Sequence, residues 1–416
     1  MILYTQTHLN KKGKLFMIIQ PSIRMNVALN AHPIGIKKYI TEQANYIEAQ
    51  PKFAGPKKAL IIGGSTGYGL ATRLTLALGA NTETINVSFE SAPFGKRTGS
   101  AGFWNNIFAN EYITNAGIKT KDFLGDAFST ETKKIVAEYI RKNFGKLDLL
   151  VYSLASGKRK DPNSNEMYTS ALKVRDEVFV GETYDINTET IMKKTIEPAT
   201  ASEIEQTIKV MGGEDWQLWI DFLLSEDLLA EGFQTYTYSY IGPELTKRIY
   251  REGTIGAAKE DMEQTARKLN EQLQTLLDGK AATAVCRAAI TRASAVIPSL
   301  PIYGMALTQV MSEKGREETP IEHVYRLFKT MIYGENAEID RDQRLRPDNW
   351  EMATDVQAKV ATLMAKVTAE NLTDILDVKP FKDAFLQQNG FGFADIDYEQ
   401  DIDIEALVVN HPLEIL

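Results

Sequence analysis

Ala59-Leu60-Ile61-Ile62-Gly63-Gly64-Ser65-Thr66-Gly67-Tyr68-Gly69-Leu70-Ala71 joins an apolar run, a glycine-rich turn and the start of a helix. Residues 59–62 carry no polar side chain, as a strand covered on both faces requires. From 67 to 79 the apolar positions recur at helical spacing. The glycines stand as Gly63-x3-Gly67-x-Gly69. Lacking a Cβ, they let the turn tighten and let backbone N–H groups approach a ligand at the positive end of the helix. Strand, glycines and helix in this order read as a pyrophosphate site for a dinucleotide. The alternative is a glycine-rich turn that binds nothing.

The segments that follow extend the pattern. A second strand, ETINVSFE (83–90), ends in Phe89-Glu90, about twenty residues past the glycines. An acidic residue there grips a ribose 2′-hydroxyl and repels a 2′-phosphate, so NAD(H) is expected over NADP(H). A third strand in TKDFLGDAF (120–128) leads to Asp126-Ala127, placed to bond the adenine amino group. KLDLLVYSLAS (146–156) is a fourth strand, and Leu154-Ala155 at its end would pass beneath the nicotinamide ribose. With a helix over 131–144, the chain reads as an α/β fold with a doubly wound, Rossmann-type parallel sheet. The glycine spacing is that of short-chain dehydrogenases.

That plan is then interrupted. Residues 157–232 exceed what a plain crossover needs and read as a segment inserted over a substrate site. They contain a hairpin in VFVGETYDINTETIMKKTI with its turn at Asp185-Ile186-Asn187-Thr188, and a helix in EDWQLWIDFLLSEDLLAEG. The basic triplet Lys158-Arg159-Lys160 is open to two readings, a hold on substrate phosphates or a solvated loop. The next strand, 235–240, ends in Tyr240. Another strand and helix follow Leu277, with Ala289-Ile290-Thr291 where nicotinamide is met. Residues 320–416 read as helices carrying no evident chemistry.

Tyr250 and Lys259 are nine positions apart, which on one continuous helix puts them on opposite faces. Gly253 and Gly256 lie between, so Lys259 is expected in a new helix over 256–277 with Tyr250 on a preceding element. A phenol and an ammonium that converge suit catalysis at a carbonyl. The phenol donates to an oxyanion, and the ammonium reaches the nicotinamide ribose and lowers the phenol's pKa. Tyr240 and Lys247, seven apart, are a competing pair, set second because Tyr240 closes the strand itself.

At 416 residues and 44% apolar the chain can bury a large core. A formal charge of −8 argues against nucleic-acid binding. No apolar run is long enough to span a membrane. The single cysteine, Cys286, allows no internal disulfide and points to a reducing cytoplasm. His8, His32, His323 and His411 lack ligand spacing, so no metal site is expected. Residues 1–16 read as an extension, disordered or not native, since Met17 could itself begin the chain. Residues 17–416 then form a single domain.

The glycine run, Val87-Ser88-Phe89-Glu90, Val151-Tyr152-Ser153-Leu154-Ala155-Ser156, Val210-Met211-Gly212-Gly213-Glu214-Asp215-Trp216, Ser239-Tyr240-Ile241-Gly242-Pro243-Glu244, Tyr250-x8-Lys259 and Thr291 to Pro298 together resemble the NADH-dependent trans-2-enoyl-CoA reductases. These are relatives of the V-type enoyl-acyl-carrier-protein reductases. The resemblance implies reduction of trans-2-enoyl thioesters with NADH, an enoyl-CoA favoured over a carrier-protein substrate, in a monomer. It makes Tyr250 the catalytic acid, Lys259 its cofactor-binding partner and Tyr240 a substrate contact. Gly63, Gly64, Ser65, Thr66, Gly67, Tyr68, Phe89, Glu90, Asp126, Ala127, Leu154, Ala155, Lys259, Ala289, Ile290 and Thr291 become the NAD site. The other readings are a ketone or alcohol dehydrogenase and a dinucleotide-binding protein without turnover. Against the dehydrogenase, Ser239 is the one serine at a suitable place before Tyr250.

Overall fold

Strand after strand alternates small or branched apolar side chains that must be covered on two faces, and the chain supplies helices to both. The computed structural model describes residues 6–9, 15–291, 294–409 and 413–416. The central sheet comprises β1 (Lys58–Ile62), β2 (Glu83–Ser88), β3 (Thr120–Leu124), β4 (Leu147–Tyr152), β5 (Leu229–Ser239), β6 (Lys280–Val285) and β7 (Glu414–Ile415). The seven strands lie in the order β6-β5-β4-β1-β2-β3-β7, and every pairing is parallel. This is the doubly wound order with one short strand added beyond β3.

Up to Glu313 the α-helices of eight or more residues are α1 (Pro33–Ala49), α2 (Gly67–Leu74), α3 (Ala101–Asn115), α4 (Thr130–Asn143), α5 (Ala201–Met211), α6 (Glu214–Ser225), α7 (Thr254–Leu277) and α8 (Leu300–Glu313), with further ones in the C-terminal segment. Ala59, Ile61, Leu149 and Val151 face a core shared with α1, α2 and α3. Leu60, Ile62, Leu150 and Tyr152 face the opposite core, shared with α4, α6 and α7. The period-two alternation of each strand therefore divides two cores. Leaving the sheet between β1 and its neighbours β4 and β2, the chain opens the crevice where such folds bind ligands.

Several boundaries differ from the sequence reading, among them the fifth strand, expected over 235–240 and found at Leu229–Ser239. The helix expected over 67–79 changes from α to π geometry at Thr75–Gly79. The second strand stops at Ser88 and the fourth at Tyr152, so Glu90 and Leu154-Ala155 lie in loops at the carboxyl edge. The ladder ends there because Gly63 donates its N–H to Val87 and Ser153 to Ile62, after which the strands diverge. Of residues 1–16, Gln6–Leu9 pairs antiparallel with Leu15–Ile18, and the remainder lies outside the described residues.

The inserted residues divide between two places. Hairpin strands Phe179–Asp185 and Thr190–Ile196 pair as expected, with the turn at 186–189. Tyr184 and Ile186 join a third core with Tyr303 and Leu307 of α8 and with Val356, Val360 and Phe381 from the C-terminal segment. By contrast, α6 lies under the sheet. Asp215 is buried, ion-paired with Lys133 at 2.8 Å, and accepts a hydrogen bond from the Tyr152 hydroxyl at 3.0 Å. Trp216 donates to Thr235 at 2.8 Å. The Met211-Gly-Gly-Glu-Asp-Trp216 run thus ties β4 and β5 to the helix layer.

Candidate active site

A cavity of about 1190 Å³ opens at the carboxyl edge of the sheet. The turn after β1 forms one wall. Gly63 has φ +86° and Gly67 φ +55°, left-handed values that favour glycine. A Cβ on Gly63 would stand 2.6 Å from the Ser153 carbonyl, and one on Gly69 2.1 Å from the Gly63 carbonyl. At Gly67 a Cβ would meet only Thr291 Cγ2, at 3.8 Å, so this face of the backbone is bare toward the cavity. Thr66 begins α2 without capping it, leaving the first N–H groups of the helix for a ligand. Such a cradle fits a dinucleotide pyrophosphate. Gly64 points elsewhere: it is not among the lining residues, and its N–H donates to Asn86 Oδ1 at 2.8 Å.

Behind that turn stands a buried polar network. Arg73 and Asp122 form a two-pronged ion pair, 2.7 Å in each arm, with both side chains fully buried. Asn86 links Asp122 to the turn by donating to Asp122 Oδ1 at 2.9 Å. Asn105 donates to the Ser65 carbonyl at 2.9 Å. The glycine turn is therefore fixed from below.

Glu90 lines the cavity with each carboxylate oxygen already holding one donor, Ser65 Oγ at 2.6 Å and Ser100 Oγ at 2.5 Å. A Cβ on Gly102 would lie 2.0 Å from Glu90 Oε1, so this glycine makes room for the carboxylate over the first turn of α3. Each oxygen keeps a lone pair for a ribose hydroxyl. Phe89 is 82% exposed beside it. Asp126 accepts from the Phe128 N–H at 3.0 Å, and with Ala127 it lines the same wall. Leu154, Ala155, Ala289, Ile290 and Thr291 line it as well. Tyr68 does so while its hydroxyl donates to the Arg287 carbonyl at 2.8 Å.

The tyrosines and the lysine converge on the same space. The helix expected over 256–277 begins two residues earlier, at Thr254, and Tyr250 lies in the turn before it. The break between them is steric. A Cβ on Gly256 would fall 1.9 Å from the Arg251 carbonyl, and one on Gly253 2.7 Å from that of Ile249. Tyr240 and Tyr250 meet edge to face, ring centroids 4.8 Å apart at 84°. Among the described residues the Tyr250 hydroxyl takes no hydrogen-bond partner, and Tyr250 lines the cavity. Lys259 donates to the Tyr238 carbonyl at 2.9 Å, and burial pulls its ammonium down to about 8.

One sequence expectation is reversed. Lys259 does not lower the Tyr250 phenol; burial raises it, and among the described residues Arg251 is the cation that works against that rise. Lys259 faces a strand-end carbonyl instead. The competing pair is not brought together, because Lys247 bridges Glu244 and Glu252 at the surface, away from the cavity. The basic triplet is split. Arg159 is buried and bonds Glu214 at 2.7 Å, whereas Lys158 and Lys160 are exposed on the cavity wall.

Sequence reasoning missed Glu351. Its carboxylate is fully buried and accepts from the Tyr240 hydroxyl at 3.2 Å across 111 positions of chain. No motif marks it. Asn86 was missed as well: it is one of the polar positions of an alternating strand, beside Thr84 and Ser88, and nothing local marks it as the partner of Gly64.

Three family models match the chain. One described as the NAD(P)H binding domain of trans-2-enoyl-CoA reductase covers residues 18–95, and the trans-2-enoyl-CoA reductase catalytic region covers 97–333. The chain belongs to the trans-2-enoyl-CoA reductase family. It is 46% identical over 393 residues to a trans-2-enoyl-CoA reductase [NADH] of Clostridium beijerinckii, covering 94% of this chain and 99% of that protein. An enoyl-[acyl-carrier-protein] reductase [NADH] 2 of Photobacterium profundum is 44% identical, with 94% and 99% covered. The crystal structure of the Clostridium acetobutylicum trans-2-enoyl-CoA reductase in complex with NADH superposes with a TM-score of 0.92 at 42% identity, covering 94% of this chain and 99% of that one.

The third model is described as an enoyl reductase FAD binding domain and covers residues 339–402. The residues there do not fit a flavin. The described segment is a set of short helices whose large apolar side chains, Val356, Val360, Leu372, Phe381 and Phe385, are spent in the core shared with α8. Its left-handed Gly390 is jammed against α1, a Cβ there falling 2.2 Å from the His32 carbonyl. The open recess of about 500 Å³ at Gln309 and residues 373–379 presents two carboxylates, Asp374 and Asp377, and no glycine turn for a flavin's phosphates.

Proposed function

We propose that this protein reduces the C2=C3 double bond of trans-2-enoyl thioesters with NADH, in fatty-acid metabolism, with an enoyl-CoA such as crotonyl-CoA as favoured substrate. The observation that carries the reading is one cavity shared by the glycine turn, Glu90, Lys259 and two crossed tyrosines. NADH bound along that turn supplies the hydride that reaches C3. Negative charge then develops on the thioester oxygen. Tyr250 is the donor to that oxygen: burial keeps its phenol neutral, and its hydroxyl is uncommitted among the described residues. Removing one such donor costs a factor of about 10²–10³. Tyr240 closes the wall beside it against the thioester. The proton that completes C2 comes through the Tyr250 phenol, giving the saturated acyl thioester.

Lys259 serves the nicotinamide ribose, and Glu90 the adenosine ribose. A carboxylate at Glu90 repels a 2′-phosphate, which favours NADH over NADPH. Among the described residues no helix is long and apolar enough to cross a membrane. We read the protein as a cytoplasmic monomer, which size-exclusion with light scattering checks.

Reduction of an enoyl-acyl-carrier-protein is the second reading, favoured by the Photobacterium relative, whose identity to this chain nearly equals that of the clostridial one. The test is NADH oxidation with crotonyl-CoA and with the crotonyl-carrier protein. A higher kcat/KM with crotonyl-CoA supports the first reading and a lower one the second. Tight NADH binding without turnover of either would leave a dinucleotide-binding protein.

A further inference from the structure

The described residues of the C-terminal segment do not fit a flavin, yet the segment reaches the reaction cavity, where Phe381, Ala384 and Gln388 line the wall. It sends one charged side chain beneath the substrate wall. Glu351 follows a 3-10 turn at Pro347–Trp350 and is completely buried. Both its oxygens are engaged. Oε2 accepts the Ala288 N–H at 2.6 Å, at the start of the loop that carries Ala289, Ile290 and Thr291. Oε1 accepts two phenols, Tyr303 at 2.6 Å and Tyr240 at 3.2 Å.

These bonds are unequal, and the inequality orders them. Tyr303 is held from behind, accepting from Gln357 Nε2 at 3.0 Å, while the same amide donates to the Glu351 carbonyl at 2.7 Å. Tyr303, Gln357 and Ala288 therefore lock the carboxyl group in place. Tyr240 is the remaining partner, and its other neighbour, Thr246 Oγ1, is farther, at 3.4 Å. A tyrosine ring has two degrees of side-chain freedom, and one bond at the phenol end removes most of what packing leaves. Tyr240 in turn is the edge against which the Tyr250 ring stands.

We propose that Glu351 is a positioning residue of the substrate site, delivered by the C-terminal segment to set the Tyr240 phenol on the wall that faces the thioester. It touches neither substrate nor cofactor. The role it gives residues 339–402 is to brace that wall in place of holding a second cofactor. Burial pushes the Glu351 carboxyl up, consistent with a group whose shape and hydrogen bonds matter more than its charge.

The proposal rests on the enoyl-thioester reading. Its test is a double-mutant cycle between Glu351→Gln and Tyr240→Phe, read on the affinity of the NADH-bound enzyme for butyryl-CoA. Equilibrium titration lets a slow variant still report. In the wild-type background Glu351→Gln should weaken butyryl-CoA binding by about 3–10-fold, the worth of one hydrogen bond, with NADH affinity unchanged. In the Tyr240→Phe background the same change should add less than about twofold. Equal losses in both backgrounds, no loss in the first, or a parallel loss of NADH affinity would each overturn the positioning role. Should Glu351→Gln fail to fold, Tyr303→Phe takes its place in the cycle with the same expectations. Failure of the underlying reading looks different: the unaltered protein would bind no butyryl-CoA and turn over no enoyl thioester.

Discussion

The two sides of the cavity are held by different means. On the cofactor side the assigned residues up to Ala155 follow a strand of the sheet within a few positions, and the glycine turn rests on the buried Arg73–Asp122–Asn86 network. On the substrate side Tyr240 follows the last residue of β5, Tyr250 sits in a turn, Lys259 rides on α7 and Glu351 comes from the C-terminal segment. The first side is positioned by the parallel ladder itself. The second is positioned by contacts between segments far apart in the chain. Single substitutions should therefore separate cleanly into those that change cofactor use and those that change chemistry on the thioester.

The largest separation should come from Tyr250→Phe. With crotonyl-CoA its kcat should fall about 10²–10³-fold while NADH affinity, measured by titration, is unchanged. Near-normal kcat would move the acid elsewhere. Lys259→Met should blur the division, lowering kcat and also raising the KM for NADH, about 10–100-fold in kcat/KM. An unchanged KM would remove Lys259 from the ribose.

The same lysine gives a pH signature. A lysine is charged below its pKa, and that of Lys259 is about 8, so kcat/KM for NADH should decline as pH rises through about 8. Lys259→Arg should carry that decline to higher pH. A profile identical in both proteins would assign the titration to another group.

Glu90→Ala should act on the cofactor side alone, raising kcat/KM with NADPH by about tenfold, since a like charge facing the 2′-phosphate is removed. No gain would sever Glu90 from specificity. The smallest effect should come from replacing Lys158 and Lys160 by alanine. The KM for crotonyl-CoA should rise about 2–5-fold, as exposed charges permit. Crotonyl-pantetheine, which lacks the nucleotide phosphates, should show no change; an equal rise would make the two lysines structural.

Legibility in the sequence follows the same division. Gly63 to Gly69 could be read because a tight turn needs consecutive residues, so its requirement is written locally. Glu90 could be read from its distance past the glycines, but its partners Ser65 and Ser100 could not, because the fold brings them together. The fourth strand was read four residues past its carboxyl end: Ser153 to Ser156 are as permissive of extended backbone as the strand, and only the divergence from β1 ends the ladder. The Met211 to Trp216 run stood out as a motif, yet its burial of Asp215 against Lys133 and Tyr152 is a tertiary fact. The opposite faces forced by nine helical steps showed that a break must separate Tyr250 from Lys259. The expected lowering of the Tyr250 phenol by Lys259 failed because burial dominates and the opposing charge is that of Arg251. Glu351 was silent, one acid among Asp348 and Asp355 in a stretch read as helical, with its partners Tyr240, Ala288 and Tyr303 in other segments.

The central claim is that one cavity delivers a hydride to C3 and a proton to C2 of an enoyl thioester. NADH deuterated at the transferring nicotinamide carbon, supplied with crotonyl-CoA, tests it most directly by mass and NMR analysis of the product. The account predicts butyryl-CoA with the deuterium at C3 and a solvent-derived hydrogen at C2. Butyryl-CoA unlabelled at C3, or no butyryl-CoA at all, would contradict it.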